Sequence, residues 1–318
     1  MTHNVKRIAL SSLSLAVMSL AVMSLASVAS AEPVQEFNFQ IKDIKPDGRY
    51  TIVFTANSYD TTGQPPPLVT ANSVRFAAGV NIRPEFLKRD YQCNVEKVRD
   101  ALLAPEPGMS FTKRLSNLAA TLKRTRKQLR PGLAPGVETC IRAQVGKGTV
   151  LADARPSFPD PVPANLFVYL AKPTAKGAAA ALGVLVVLDE NSTTVKASPI
   201  LATLRLVFTV NLFNDPSADG RYGYRLELPG GGAAGVRVSV AELRVTTPGI
   251  SQIKKTVTCR KKKRGKCTKR NVTTKKLFWL TQPTCPATGQ LGFEAFYQYE
   301  TGLTSTTAAQ LPCPRFQN

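Results

Sequence analysis

The stretch that most invites chemistry is Cys259–Cys267, CRKKKRGKC, where six of the seven residues between the cysteines are Lys or Arg. Clustered cations attract phosphate, sulfate or carboxylate, and a cysteine pair can hold such a cluster in shape. Arg260, Lys261, Lys262, Lys263, Arg264 and Lys266, with Lys269 and Arg270 just beyond, are therefore the candidate residues for binding a polyanion. The bland alternative is a solvated basic turn, since runs of like charge usually face water. A second basic cluster, Lys123, Arg124, Arg126 and Lys127, lies in the middle of the chain.

Conventional catalytic groups are scarce. The single histidine is His3, inside a leader segment, so the mature chain has no residue for a Ser-His-Asp set, a Cys-His pair or a histidine metal site. No C-x-x-C, P-loop or H-E-x-x-H occurs, and PGGGAAG at 229–235 lacks the strand–helix setting of a dinucleotide loop. Two carboxylates alone can hydrolyse a glycosidic bond. Asp189, Glu190, Asp215, Asp219, Glu227, Glu242, Glu294 and Glu300 are the acids available for that work. NDPSADGRYG at 214–223 has the acids of a calcium loop, but not the ligand alternation or distal Glu of an EF-hand, and reads better as a β-turn. Tyr297 and Tyr299 share one face of a strand and could serve a polyanion lyase, although such alternation more often packs a core. Trp279, the sole Trp, alternates with Phe278. Facing solvent, it could stack on a sugar; filling a core is its commoner use.

The elements that must position these groups are strands. From residue 35 onward the pattern alternates with period two: EFNFQIKDIK sets Phe37, Phe39 and Ile41 on one side, and RYTIVFTA does the same with Tyr50, Ile52 and Phe54. Further strands are expected at 73–77, 146–153, 164–172, 181–189, 199–213, 222–228, 235–246, 252–258, 272–281, 290–300 and 303–311, separated by Gly/Pro turns. The expected fold is all-β, an antiparallel sandwich of jelly-roll type, in one domain or in two sub-domains divided near 155–163. One insertion breaks the pattern. Phe111, Leu115, Leu118, Leu122 and Leu129 fall on one helical stripe, which predicts a basic amphipathic helix over 110–130.

The compartment is written at the start of the chain. Lys6 and Arg7, an apolar stretch from Ile8 to Ala29 and the ASA ending at Ala31 form a secretory signal over residues 1–31. The apolar stretch is long enough to span a bilayer if it is kept as an anchor; after cleavage no transmembrane span is expected in residues 32–318. Losing Lys6 and Arg7 takes the net charge from +21 to +19. Residues 254–276 contain twelve Lys or Arg and no acid, and residues 113–130 contain seven and no acid; elsewhere the charge is balanced. An exported chain with six cysteines implies a disulfide framework. Cys285–Cys313 and Cys259–Cys267 each straddle an expected hairpin turn, and Cys93–Cys140 follows by elimination. KKKR at 261–264 matches a nuclear-localisation pattern, which export makes untenable.

TVTC…FWLTQPTCPATGQLGFEAFYQYETG…PC, with C…VGKGTVLADARP at 140–156, resembles the endings of a group of secreted, β-rich, disulfide-containing actinobacterial proteins. The resemblance covers about the last two-fifths of the chain and the Cys140 region. It implies an exported β protein and supplies no catalytic residue; the basic helix and the charge density of the hairpin depart from that group's pattern. The sequence thus predicts a secreted or cell-wall-associated, non-catalytic module that needs no cofactor or nucleotide. It would adhere to anionic cell-wall polymer or acidic polysaccharide through the basic disulfide hairpin at 252–281. The alternative is a carbohydrate-binding or carbohydrate-active jelly-roll protein.

Overall fold

The computed structural model describes residues 33–44, 50–61, 67–80, 82–87, 92–103, 113, 117, 136–153, 160–197, 205–229, 239–247, 251–263, 266–281 and 283–314. Among the described residues there are thirteen strands: β1 (Pro33–Lys42), β2 (Thr51–Asp60), β3 (Val69–Ala77), β4 (Gln144–Asp153), β5 (Val162–Ala171), β6 (Ala180–Leu188), β7 (Arg205–Asn214), β8 (Tyr222–Pro229), β9 (Ser239–Thr247), β10 (Ser251–Lys263), β11 (Lys266–Phe278), β12 (Gln290–Tyr299) and β13 (Thr304–Pro312). For β9 and most of β10 and β11 the backbone alone is described. Short α-helices with described bounds accompany them: α1 (Val95–Leu103), α2 (Val137–Ala143) and α3 (Thr193–Ala197).

The fold is all-β and antiparallel. Eleven strands form one sheet in the order β1-β2-β9-β4-β5-β6-β7-β8-β3-β12-β13, and β10 and β11 form a separate pair. The layering expected of a sandwich comes from this single sheet curling, so that its first and last strands lie against each other. Aromatic packing fixes the curl. Phe39 of β1 stacks on Phe293 of β12 with centroids 3.7 Å apart, and Phe76 of β3 meets both edge-on. Phe39 is 1% exposed and Phe293 fully buried; stacked and edge-on contacts of this kind add to ordinary apolar burial. β4 and β5 flank the division expected near 155–163 and pair with each other along Gln144–Ala152, so the sheet runs unbroken across it.

The helices cover what the strands cannot. β5 and β6 are buried almost throughout, and strands buried on both faces read as continuous apolar runs. α1 and α2 lie over them. Asn94 caps α1, its Oδ1 accepting from Lys97 N at 3.0 Å. Gly183 of β6 admits the helix, because a Cβ there would stand 2.7 Å from Val95 Cγ2. Cys93–Cys140 joins the two helices inside the core, and Cys285–Cys313 closes the β12–β13 hairpin, both as expected. The helix expected over 110–130 lies outside the described residues except for Lys113 and Asn117, which are helical and exposed. Lys123, Arg124, Arg126 and Lys127 therefore also lie outside them.

Candidate functional site

β10 and β11 build a two-stranded ribbon thirteen residues long on each side, about 40 Å at the usual strand rise. The strands run past both cysteines, to Lys263 and Lys266. The turn is therefore much tighter than a seven-residue loop between Cys259 and Cys267, and Arg260 to Lys263 belong to β10. Lys266, Lys269 and Arg270 belong to β11; Arg264 lies outside the described residues. Cys259 is exposed and disulfide-bonded; the side chain of Cys267 is outside those described.

The register sets like charges face to face. Lys254 pairs with Lys275, Lys261 with Lys269 and Lys263 with Lys266, with irregularities on either side of Lys261. Like charges directly opposite each other destabilise a β pair, and an isolated two-stranded ribbon is marginal in water to begin with. Three uncharged rungs, Thr256–Thr273, Val257–Val272 and Thr258–Asn271, lie between the charged ends. Their β-branched residues suit a strand, and Val272 is 58% exposed.

The ribbon is anchored at one end. Immediately after β11, Trp279 and Leu280 enter the core. Leu280 bridges Ile82, and the Trp279 carbonyl accepts from Arg83 N at 2.8 Å. Tyr50 Oη donates to the Thr281 carbonyl at 2.6 Å, and Thr281 Oγ1 donates to the Gly79 carbonyl at 2.7 Å. Burial pushes the Tyr50 hydroxyl well above its ordinary pKa, with Arg83 opposing the shift. Trp279 is 6% exposed, which overturns the reading of a sugar-stacking platform at this position.

The candidate acids are spread over the body. Asp215 accepts from Arg75 at 3.1 Å and pairs with Arg225 at 3.3 Å, and Glu294 pairs with Arg75 at 3.1 Å. Glu227 pairs with Arg225, and Asp219 with Arg221. The Ser217 hydroxyl and then Arg221 hold the Asp219 carboxyl down at about 2. The 214–223 stretch is thus a β-turn, with Gly220 N donating to Ser217 O at 3.0 Å and Gly220 at φ 69°. Glu300 Oε1 accepts from Leu68 N at 3.3 Å, and Asp189 accepts from Asn191 within its own turn. Glu190 is exposed, and the side chain of Glu242 is outside those described. Tyr297 and Tyr299 are 7% and 2% exposed; burial first, then Tyr299, pushes Tyr297 up to about 12. Among the described residues no group of three or more His, Cys, Asp or Glu is placed to hold a metal.

The arginine–carboxylate cluster was not visible in the sequence. Arg75 pairs across the sheet with Arg225 on one side and with Glu294 on the other, because β3 lies between β8 and β12. No local pattern in the chain announces that strand order. The cluster does show how this fold treats a like-charge rung, since Asp215 bridges both arginines while Glu294 and Glu227 each pair with one of them. Residues 254–276 hold no acid of their own to do the same for the ribbon. No protein-family model, curated protein or solved structure matches the chain.

Proposed function

We propose that this is an exported, non-catalytic binding module of the cell envelope that adheres to anionic cell-wall polymer or acidic polysaccharide through the β10–β11 ribbon. The observation that carries the reading is the register. Eleven Lys and Arg sit on the two described strands of a ribbon with three like-charge rungs, no internal acid and no further strand beside it among the described residues. Charge arranged at the expense of local stability gains most from an external anion, which relieves repulsion and releases counterions together. The resemblance to secreted β-rich actinobacterial proteins, the signal-like leader and the disulfides support an extracellular site of action.

The test is binding of the purified protein to an anionic polysaccharide and to an uncharged one across a series of salt concentrations. The expected result is tight binding to the anionic polymer at low salt that weakens steeply as salt rises. Changing Lys261, Lys262 and Lys263 to Ser should remove most of it without altering the melting temperature downward. Indifference to polyanions at low salt would end the proposal.

A further inference from the structure

The charge on the ribbon is not continuous. Its root zone comprises Lys254, Lys255, Lys275 and Lys276, on rungs Ile253–Lys276, Lys254–Lys275 and Lys255–Thr274. Its tip zone comprises Arg260 to Lys263, Lys266, Lys269 and Arg270. The neutral rungs Thr256–Thr273, Val257–Val272 and Thr258–Asn271 separate the two. From rung Lys254–Lys275 to rung Lys261–Lys269 the ribbon advances six or seven residues, roughly 20 Å at the strand rise.

Resting on the polyanion reading above, we infer that the ribbon is a two-zone clamp for an extended acidic polysaccharide, one long enough to lie over the neutral waist and occupy root and tip at once. A compact anion, however highly charged, meets one zone only. A linear chain held at the tip presents its next segment to the root as an intramolecular event, and linked binding of this kind raises affinity without any new type of contact. The composition of the ribbon separates polysaccharide from nucleic acid. Apart from Phe278 at the base of β11, the ribbon carries no Phe, Tyr or Trp, so bases find no row of stacking platforms between its charged rungs. Nine of the eleven cations on the described strands are Lys, compact point charges rather than the planar forks that read guanine edges. Evenly spaced sulfates or carboxylates on a sugar chain ask for nothing more specific.

The experiment measures the affinity of the whole exported chain for sulfated oligosaccharides and oligouronates graded in length from well under 20 Å to the length of the ribbon. Affinity is expected to rise by a step on the order of 100-fold once the oligomer spans both zones. Lys254→Ser, Lys255→Ser, Lys275→Ser and Lys276→Ser together should abolish the step, so that long oligomers bind no more tightly than short ones. The salt slope for long oligomers should fall by about a third, since the root holds four of the eleven cations on the described strands. Filling the waist with Thr256→Lys and Thr273→Lys should blur the step by giving short chains a continuous track. If the root variant fails to fold, the length series on the unaltered protein and the waist variant still decide. Full affinity for oligomers shorter than the waist would overturn the clamp while leaving polyanion binding intact. No binding of any length at low salt would overturn both. Duplex DNA binding more tightly than the longest oligosaccharide would overturn the choice of polymer.

Discussion

Replacing Trp279 separates a structural anchor from a ligand platform. Trp279 is 6% exposed, sits in the main core cluster, and immediately precedes Leu280, which bridges Ile82. Trp279→Ala deletes an almost fully buried indole, a class of change that costs about 3–5 kcal/mol through lost burial and the cavity left behind. Against a domain stability of about 5–15 kcal/mol, that is enough to lower the urea midpoint by about a fifth or more. Trp279→Phe keeps an apolar ring and should cost about 1–2 kcal/mol. The hydrogen bond from Arg83 N to the Trp279 carbonyl involves backbone only and survives either change. Unfolding followed by far-UV circular dichroism gives the stabilities, and polyanion affinity is measured at a temperature where both variants remain folded. The expected outcome is a large drop in midpoint with affinity per folded molecule preserved. In the parent protein the single Trp should emit at short wavelength, shift to long wavelength on unfolding and ignore added polyanion. A variant that keeps its midpoint but loses affinity would refute the reasoning, because it would place the indole on the ligand rather than in the core.

Two further outcomes test the body of the fold. Gly79 has φ 84° and a Cβ there would stand 2.3 Å from Thr284 N, whereas Gly177, with φ 82°, has nothing within 4 Å; Gly79→Ala should therefore cost about 3 kcal/mol and Gly177→Ala about 1, read from thermal melts. In alkali, burial raises Tyr50, Tyr169 and Tyr297, the last to about 12; the Tyr297 contribution is fully present below the unfolded value near 10 and is lost as pH climbs through about 12, so the melting temperature should fall across that window, and less steeply in Tyr297→Phe.

Much of the sheet was legible because alternation is a local signal. Phe37 and Phe39 are buried as the pattern in β1 requires, and β1 and β2 pair Phe39 with Phe54 and Ile41 with Ile52. β12 and β13 flank the hairpin turn expected between Cys285 and Cys313. Alternation fails in LFVYLA and LGVLVVL, where both faces of β5 and β6 are covered. Those runs already implied a covering layer, and α1 supplies it over Val95–Leu103, a stretch in which no helix was expected. The charge of the ribbon was plain, but its length was not. Cysteines and a glycine suggested a loop at 259–267, while the strands carry on to Lys263 and Lys266. The order that sets β3 between β8 and β12 depends on contacts far apart in the chain, which is why the pairing of Asp215 and Glu294 with Arg75 had no sequence signature.

The meeting of β1 with β13 has a bearing on how this protein behaves in a crowd. A sheet whose two margins lie against each other offers little template for a neighbouring molecule to extend. The β10–β11 pair has no third strand among the described residues, so its margins are the ones a stranger could zip onto. Lysines along such margins act as gatekeepers, keeping identical copies apart by mutual repulsion. Under the proposed function, a bound acidic polymer would cancel that repulsion, so the event that fastens the molecule to a surface would also lift the barrier to lateral pairing of ribbons. Adhesion and the tendency to form a coat would then be tied to one set of charges.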